Sequence, residues 1–192
     1  MSRMFLHVCC GPCTIYPLQT LRSGGWSVHG FFYNPFIQPY QEFERRLETL
    51  RVFAQSEELP LIVRPDYDLE GYLRQTAFRE SSRCIFCYST RLEAAARLAK
   101  KSGFDAFTST LLYSRQQKHE LIRSIAEEAS RKHGIRFHYE DFREGWREGQ
   151  EAAKALGLYR QQYCGCILSE KERFCPGGRP PEAHGPGSME EA

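Results

Sequence analysis

Short β-type apolar runs alternate with longer amphipathic stretches along this chain. The runs at 4–8, 27–33, 60–63, 105–110 and 135–139 carry the branched and aromatic residues of strands. Between them, residues 40–57 place Phe43, Leu47, Leu50 and Phe53 at helical spacing, with Arg and Glu on the opposite face. Residues 91–101 repeat this with Leu92, Ala95 and Leu98, end in Lys100 and Lys101, and stop at Gly103. Residues 117–133 do so again with Leu121, Ile122, Ile125 and Ala129, and stop at Gly134. These stripes are core-forming and carry no functional weight. Residues 145–170 read as a further helix and turn that ends on a cysteine pair. The alternation predicts an α/β fold: a Rossmann-like, doubly wound, mainly parallel sheet of about five strands, with a cysteine-rich C-terminal helical and loop segment.

The apolar share of 41% and the length of 192 residues suit a single domain with its own core. That domain is expected over residues 1–175. From Pro176 onward the Pro-Gly-Gly-Arg-Pro-Pro and Gly-Pro-Gly strings bury too little to offset ordering, so residues 176–192 are expected to be a disordered tail. No apolar run approaches the length of a membrane span, and the apolar stretch before Cys9 is too short for a signal peptide. A cytoplasmic protein with no membrane partner is therefore expected. The net charge of +2, with Glu182, Glu190 and Glu191 masking a slightly more basic body, permits nucleic acid without requiring it.

Cysteine usage changes the picture. Eight cysteines stand at positions 9, 10, 13, 84, 87, 164, 166 and 175. In a reducing compartment, clustered thiols more often bind metal or cycle electrons than form structural disulfides. The first strand runs directly into Cys9-Cys10-Gly11-Pro12-Cys13, at the carboxyl edge where doubly wound sheets bind ligands. A helix expected from about Thr14 favours thiolates at its start, although adjacent cysteines also pack as small apolar residues. Cys84 and Cys87, placed in a turn before the helix at Arg91, have the spacing of zinc knuckles, iron–sulfur proteins and redox dithiols. Cys164-Gly165-Cys166 either forms an easily reduced bridge or offers two thiolates to a metal. Cys9, Cys10, Cys84 and Cys87 would complete a [4Fe–4S] set, and a structural zinc site competes for the same four sulfurs. Two further thiols beyond a complete set favour iron–sulfur. Cys175, beside the tail, is incidental.

Several strings occur together and in order: Leu-His-Val-Cys-Cys-Gly-Pro-Cys at 6–13, Phe-Tyr-Asn-Pro at 32–35, Arg-Cys-Ile-Phe-Cys-Tyr-Ser-Thr-Arg-Leu at 83–92, Thr-Ser-Thr-Leu-Leu-Tyr-Ser at 108–114 with Gln-Lys-His at 117–119, and Tyr-Arg-Gln-Gln-Tyr-Cys-Gly-Cys at 159–166. In these the chain resembles the QueH family of cobalamin-independent epoxyqueuosine reductases, from residue 5 to about 170. The resemblance implies an oxidoreductase that performs the last step of queuosine biosynthesis, reducing epoxyqueuosine at the wobble position of a tRNA anticodon loop. It implies a [4Fe–4S] cluster on Cys9, Cys10, Cys84 and Cys87. It also implies catalytic roles for Cys164 and Cys166, either as a redox-active disulfide or as ligands of an additional mononuclear iron. Some relatives carry aspartate where this chain has Cys13, which leaves Cys13 as a substitute ligand of that iron or a bystander. The Tyr-Asn-Pro string continues here as Phe36-Ile37-Gln38-Pro39, less polar than the family form.

The chemistry also needs an electron donor, which the sequence does not identify, and a general acid. Asp141, His119 and Tyr163 are candidates, each with an equally good structural role. For an anticodon loop, Arg45, Arg46, Arg83, Arg115, Lys118, Arg143, Arg147 and Arg160 interleave with Tyr33, Tyr88, Tyr113 and Tyr159; solvated helix faces explain Arg45 and Arg46 as well. DNA is not an expected partner. Two rivals stand beside the reductase: a noncatalytic zinc-binding RNA module, and a tRNA sulfur-transfer enzyme, which the lack of a Ser-Gly-Gly phosphate loop after the first strand disfavours.

Overall fold

The computed structural model describes residues 2–175; the expected disordered tail lies outside them. Five strands form one parallel sheet: β1 (Arg3–Val8), β2 (Ser27–Phe32), β3 (Leu61–Val63), β4 (Ala106–Ser109) and β5 (Arg136–Phe137), in the order β3-β2-β1-β4-β5. Helices α1 (Gly11–Ser23), α2 (Tyr40–Ser56), α3 (Leu69–Thr76), α4 (Arg83–Lys101), α5 (His119–His133), α6 (Trp146–Ala155) and α7 (Ile167–Phe174) connect or follow them. The doubly wound α/β expectation is met. Among the described residues no helix is long and apolar enough to cross a membrane.

β1 is central, and from Met4 to Val8 every residue is buried, which is why this strand reads as an unbroken apolar run. Phe5 packs its ring against Phe31 of β2 and Phe104 ahead of β4, with centroids 5.1 and 4.7 Å away. Strand order reverses between β1 and β4, which pair from Met4↔Ala106 to His7↔Ser109. The crevice beyond the carboxyl ends of these two strands is where doubly wound folds bind ligands. It begins at Cys9 and Thr110.

Several boundaries differ from the sequence reading. α1 starts at Gly11, not near Thr14, because Cys10 itself is the N-cap and its sulfur accepts from the Cys13 amide at 3.4 Å. α4 starts at Arg83, so Cys84 and Cys87 lie in its first turn and not in a loop before it. β5 contracts to two residues. α3, capped by the Asp68 carboxylate on the Gly71 amide at 2.9 Å, has too short an apolar stripe to stand out in the sequence. The segment 145–170 divides into α6 and α7, and the intervening residues 156–166 carry the Cys-Gly-Cys loop. The turn entering α6 approaches α1 so closely that a Cβ on Gly145 would collide with Tyr16, and α6 itself packs on Tyr113, whose hydroxyl a Cβ on Gly149 would meet. That approach delivers the loop to the sheet edge.

Phe5→Ala removes the ring at the centre of this packing. It is expected to lower the free energy of unfolding by about 3–5 kcal/mol with an unchanged urea m-value, measured on the metal-free protein.

Candidate metal centre and its cleft

β1 ends by aiming three thiols inward. Cys9, Cys10 and Cys13 are buried, and their sulfurs all lie within 4.8 Å of one another. One turn of helix explains this closeness: Cys10 caps α1, and Cys13 sits three residues on, over the same turn. Around the triad, the Thr110 hydroxyl donates to Cys9 Sγ at 3.3 Å, and the Gln161 amide donates to Cys10 and Cys13 Sγ at 3.1 and 3.0 Å. Hydrogen bonds from Cys10 and Cys13 hold the Cys9 thiol well below its ordinary range. Burial pushes Cys10 up, and donation to Cys10 pushes Cys13 up.

The other four site cysteines form a second group. Cys84 and Cys87, at i and i+3 in the first turn of α4, share one cavity with Cys164 and Cys166. Burial pushes the Cys87 thiol up to about 12 and raises Cys164. Cys166 moves down: burial opposes its thiolate, but Tyr72, Ser169 and Arg83 outweigh it. Cys164 and Cys166 are not joined by a disulfide in this structure, so the expected redox pair stands as two thiols. Cys164 also lines a second cavity with Cys9, Cys13 and Gln161. The two sulfur groups therefore meet at Cys164. The expected set of Cys9, Cys10, Cys84 and Cys87 is divided between them, and Cys13 belongs with the first pair. Cys175, just past α7, lines none of these cavities.

A buried arginine connects the groups. Arg91 donates to Cys87 Sγ at 3.1 Å and to Asn34 Oδ1 at 3.2 Å, while Asn34 donates to the Val8 carbonyl at 2.9 Å. His7, the residue of β1 below Cys9, is held between Ser109 and the Tyr33 carbonyl, at 2.8 and 3.2 Å. A carbonyl only accepts, so Nε2 carries the ring proton and Nδ1 accepts from the Ser109 hydroxyl. Burial, assisted by the Arg91 charge, lowers the His7 pKa to about 4. His7 is therefore neutral at pH 7.

The Cys-Gly-Cys loop is clamped from α2. Arg46 is buried; its Nε donates to Glu42 at 2.7 Å, and its two terminal nitrogens donate to the carbonyls of Cys164 and Tyr163 at 2.8 and 3.0 Å. The Tyr159 hydroxyl donates to the other Glu42 oxygen at 2.5 Å. The Gln38 backbone N–H donates to the Gly165 carbonyl at 2.7 Å, and its side-chain Oε1 accepts from the Ile167 amide at 3.2 Å. Gly165, at φ +144, takes a conformation open to glycine alone, with Ile37 and Arg46 packed where a side chain would stand. Arg46 thus neither contacts solvent nor is free for RNA, and Gln38 has a role that its departure from the polar family string did not suggest.

In front of the thiols opens a cleft of about 750 Å³, lined by Arg83, Lys118, Arg160 and Arg173 together with Cys84, Cys164 and Cys166. Within the cleft Arg83 pairs with Glu172 at 2.6 Å; of the other basic candidates, Arg143 pairs with Asp141 at 2.5 Å and Arg147 with Glu151 at 3.0 Å. Tyr113 is fully buried and donates to the Trp146 carbonyl, so it is core. Among the general-acid candidates, Asp141 caps the turn at Phe142 and is held low by Arg143. His119 starts α5 beside Tyr139 and does not line the cleft. Tyr163 does line it, but its hydroxyl is engaged with the Gln38 carbonyl, and burial pushes it up to about 12.

The donor set fits a thiolate-ligated metal centre. Three buried sulfurs lie within 4.8 Å of one another, and the Tyr72 hydroxyl and Arg83 Nε are buried at the neighbouring cavity without a well-formed hydrogen bond. Sequence reasoning assigned no role to Tyr72, Arg91, Thr110, Gln117 or Gln161. All but Tyr72 stand inside the quoted strings, and their polarity beside cysteines is the signal that could have marked them.

Fold and site together define a doubly wound α/β protein with a thiol-rich centre at its switch point. The family model described as "Epoxyqueuosine reductase QueH" matches residues 4–172. The chain is 37% identical to the epoxyqueuosine reductase QueH of Dehalococcoides mccartyi over 90% of its own length and 94% of the relative's. It is 36% identical to that of Thermotoga maritima, over 90% and 93%. The chain belongs to the epoxyqueuosine reductase QueH family. In fold alone it resembles a solved structure described as a predicted subunit of a tRNA methyltransferase from Methanocaldococcus jannaschii, with TM-score 0.52, 14% identity, and coverage of 79% and 74%.

Two outcomes follow. Arg46→Met strands Glu42 in the interior and is expected to cost about 3–5 kcal/mol in chemical denaturation. Arg46→Lys should fail to restore this, because an ammonium cannot reproduce the three-way fork. For His7, the folded pKa of about 4 lies below the unfolded value of 6.5. The unfolded chain therefore binds the additional proton between these limits, and stability is complete above 6.5 and lost as pH falls to 4. The loss expected in the metal-free protein is about 3 kcal/mol, and His7→Asn should flatten that part of the pH profile.

Proposed function

We propose that this chain reduces epoxyqueuosine to queuosine at the wobble position of a tRNA, the last step of queuosine biosynthesis. The observation that carries this reading is the gathering of seven cysteines, in two groups that meet at Cys164, at the carboxyl edge of the sheet behind a basic cleft. Family membership sets the reductase above both the zinc-binding RNA module and the sulfur-transfer enzyme.

Cys9, Cys10, Cys84 and Cys87 would hold a [4Fe–4S] cluster, with Cys13, Cys164 and Cys166 either ligating an additional iron or, for the last two, serving as a dithiol. When bound, such a centre supplies electrons singly and a Lewis-acidic position for an oxygen atom. Converting the epoxide to the alkene breaks both C–O bonds and consumes two electrons and two protons, releasing the oxygen as water. An external electron donor must supply those electrons. The protein's part is positional. Arg46, Glu42 and Gln38 fix the Cys164–Cys166 loop, and Gln117 donates to Cys164 Sγ at 3.2 Å. Lys118 and Arg160 line the cleft beside the Arg83–Glu172 pair, where the phosphates of a single-stranded loop would meet them. The target base is turned out of the loop to reach the thiols.

An anaerobically reconstituted protein is expected to be brown and to contain iron and sulfide, with no stoichiometric zinc. Replacing Cys164 and Cys166 together by alanine is expected to abolish turnover of epoxyqueuosine-containing tRNA and to change the iron content or the electronic spectrum. A double variant with wild-type iron, spectrum and turnover would remove both residues from the chemistry.

A further inference from the structure

A single exposed apolar side chain is ordinary on a protein surface, but a bulky one that also stands on a left-handed backbone is not. Phe78, between α3 and the short turn before α4, is 99% exposed, whereas Val52, the next most exposed large apolar side chain among the described residues, is 54%. Its backbone is also unusual. Phe78 sits at φ +60, a left-handed conformation that helix ends ordinarily give to glycine. The segment is nonetheless well tied. The Ala77 amide donates to the Leu73 carbonyl and the Arg79 amide to the Thr76 carbonyl, both at 2.9 Å, and Glu80 accepts from the Phe78 amide at 3.1 Å. A bulky ring is therefore held outward on a defined backbone where folding would be served better by glycine.

Its surroundings are mixed, with Glu80 against its own amide and an arginine on either side in sequence. Arg74 and Arg79 are exposed, and neither makes an ion pair among the described residues. Arg83, which lines the cleft, is five residues further along, and a chain of that length spans at most roughly 17 Å. An exposed ring between unpaired guanidinium groups, within a few nucleotides' reach of a basic cleft, matches single-stranded RNA, whose bases stack on aromatic faces while its phosphates meet arginines. We propose that Phe78 is a stacking platform for an unpaired base of the substrate RNA, outside the thiol site. The proposal rests on the reading of tRNA as substrate and adds a contact that the cysteine chemistry does not require.

Phe78→Gly separates binding from folding, because glycine suits the left-handed backbone while removing the ring. In the cluster-loaded protein this variant should melt no lower than wild type. It should bind epoxyqueuosine-containing tRNA roughly 5- to 150-fold more weakly, the range for losing one base–aromatic stack. The loss should appear in KM, with kcat little changed. Phe78→Trp should retain affinity, and its added fluorescence should be quenched by the tRNA. Wild-type affinity in Phe78→Gly, with a wild-type protein that binds and reduces the tRNA, overturns the proposal alone. So does unchanged tRNA affinity with slower reduction by a protein electron donor, which would assign the ring to that donor. A wild-type protein that binds no such tRNA overturns the substrate reading and this inference together.

Discussion

A guanidinium taken out of water must be met on every side, and Arg46 is met by one carboxylate and two carbonyls of a distant loop. The rest of the site depends on that requirement. The loop from Tyr159 to Cys166 has no regular structure and crosses the carboxyl edge of the sheet, so its polar groups need partners from elsewhere. α2 supplies them through Arg46 and Glu42, and the turn before α2 adds Gln38. Once the loop is pinned, Cys164 is placed between the thiols that follow β1 and those that begin α4. A buried ion pair contributes little net stability; here it fixes one geometry of a loop that apolar packing alone would leave undetermined.

Strand order supplies the other half of the arrangement. Because β1 and β4 are neighbours while their connections leave in opposite directions, a crevice opens where both strands end. Cys9 emerges from one strand and Thr110 from the other, and the two are hydrogen bonded. The thiols of α4 reach the crevice because they occupy the first turn of that helix. Two clusters of sulfur, each unremarkable for its local spacing, thereby become one surface at the base of a cleft whose open side is basic.

The β and helical periodicities were legible because the central strands are buried on both faces and the long helices on one. Stops at Gly103 and Gly134 were legible because both adopt positive φ just past their helices. The start of α4 was not, since Cys84 and Cys87 are weakly helical and its first turn is stabilised by contacts that pattern does not encode. The site cysteines could be named from spacing, but their division into two groups could not, because it depends on which residues α6 and the Cys-Gly-Cys loop bring together. Arg46 is the clearest case. Its neighbours Arg45 and Glu44 make that stretch read as a solvated helix face, and only the tertiary fold shows that one arginine of the pair points inward.

A basic cleft, a shared thiol surface and a clamped loop are the features on which the proposed reduction of a tRNA base rests. The most direct test is anaerobic incubation of the cluster-replete protein with epoxyqueuosine-containing tRNA and a chemical reductant, followed by nucleoside analysis by mass spectrometry. Appearance of queuosine with matching loss of epoxyqueuosine is the predicted result; unchanged epoxyqueuosine in the presence of an intact, reduced cluster would contradict the account.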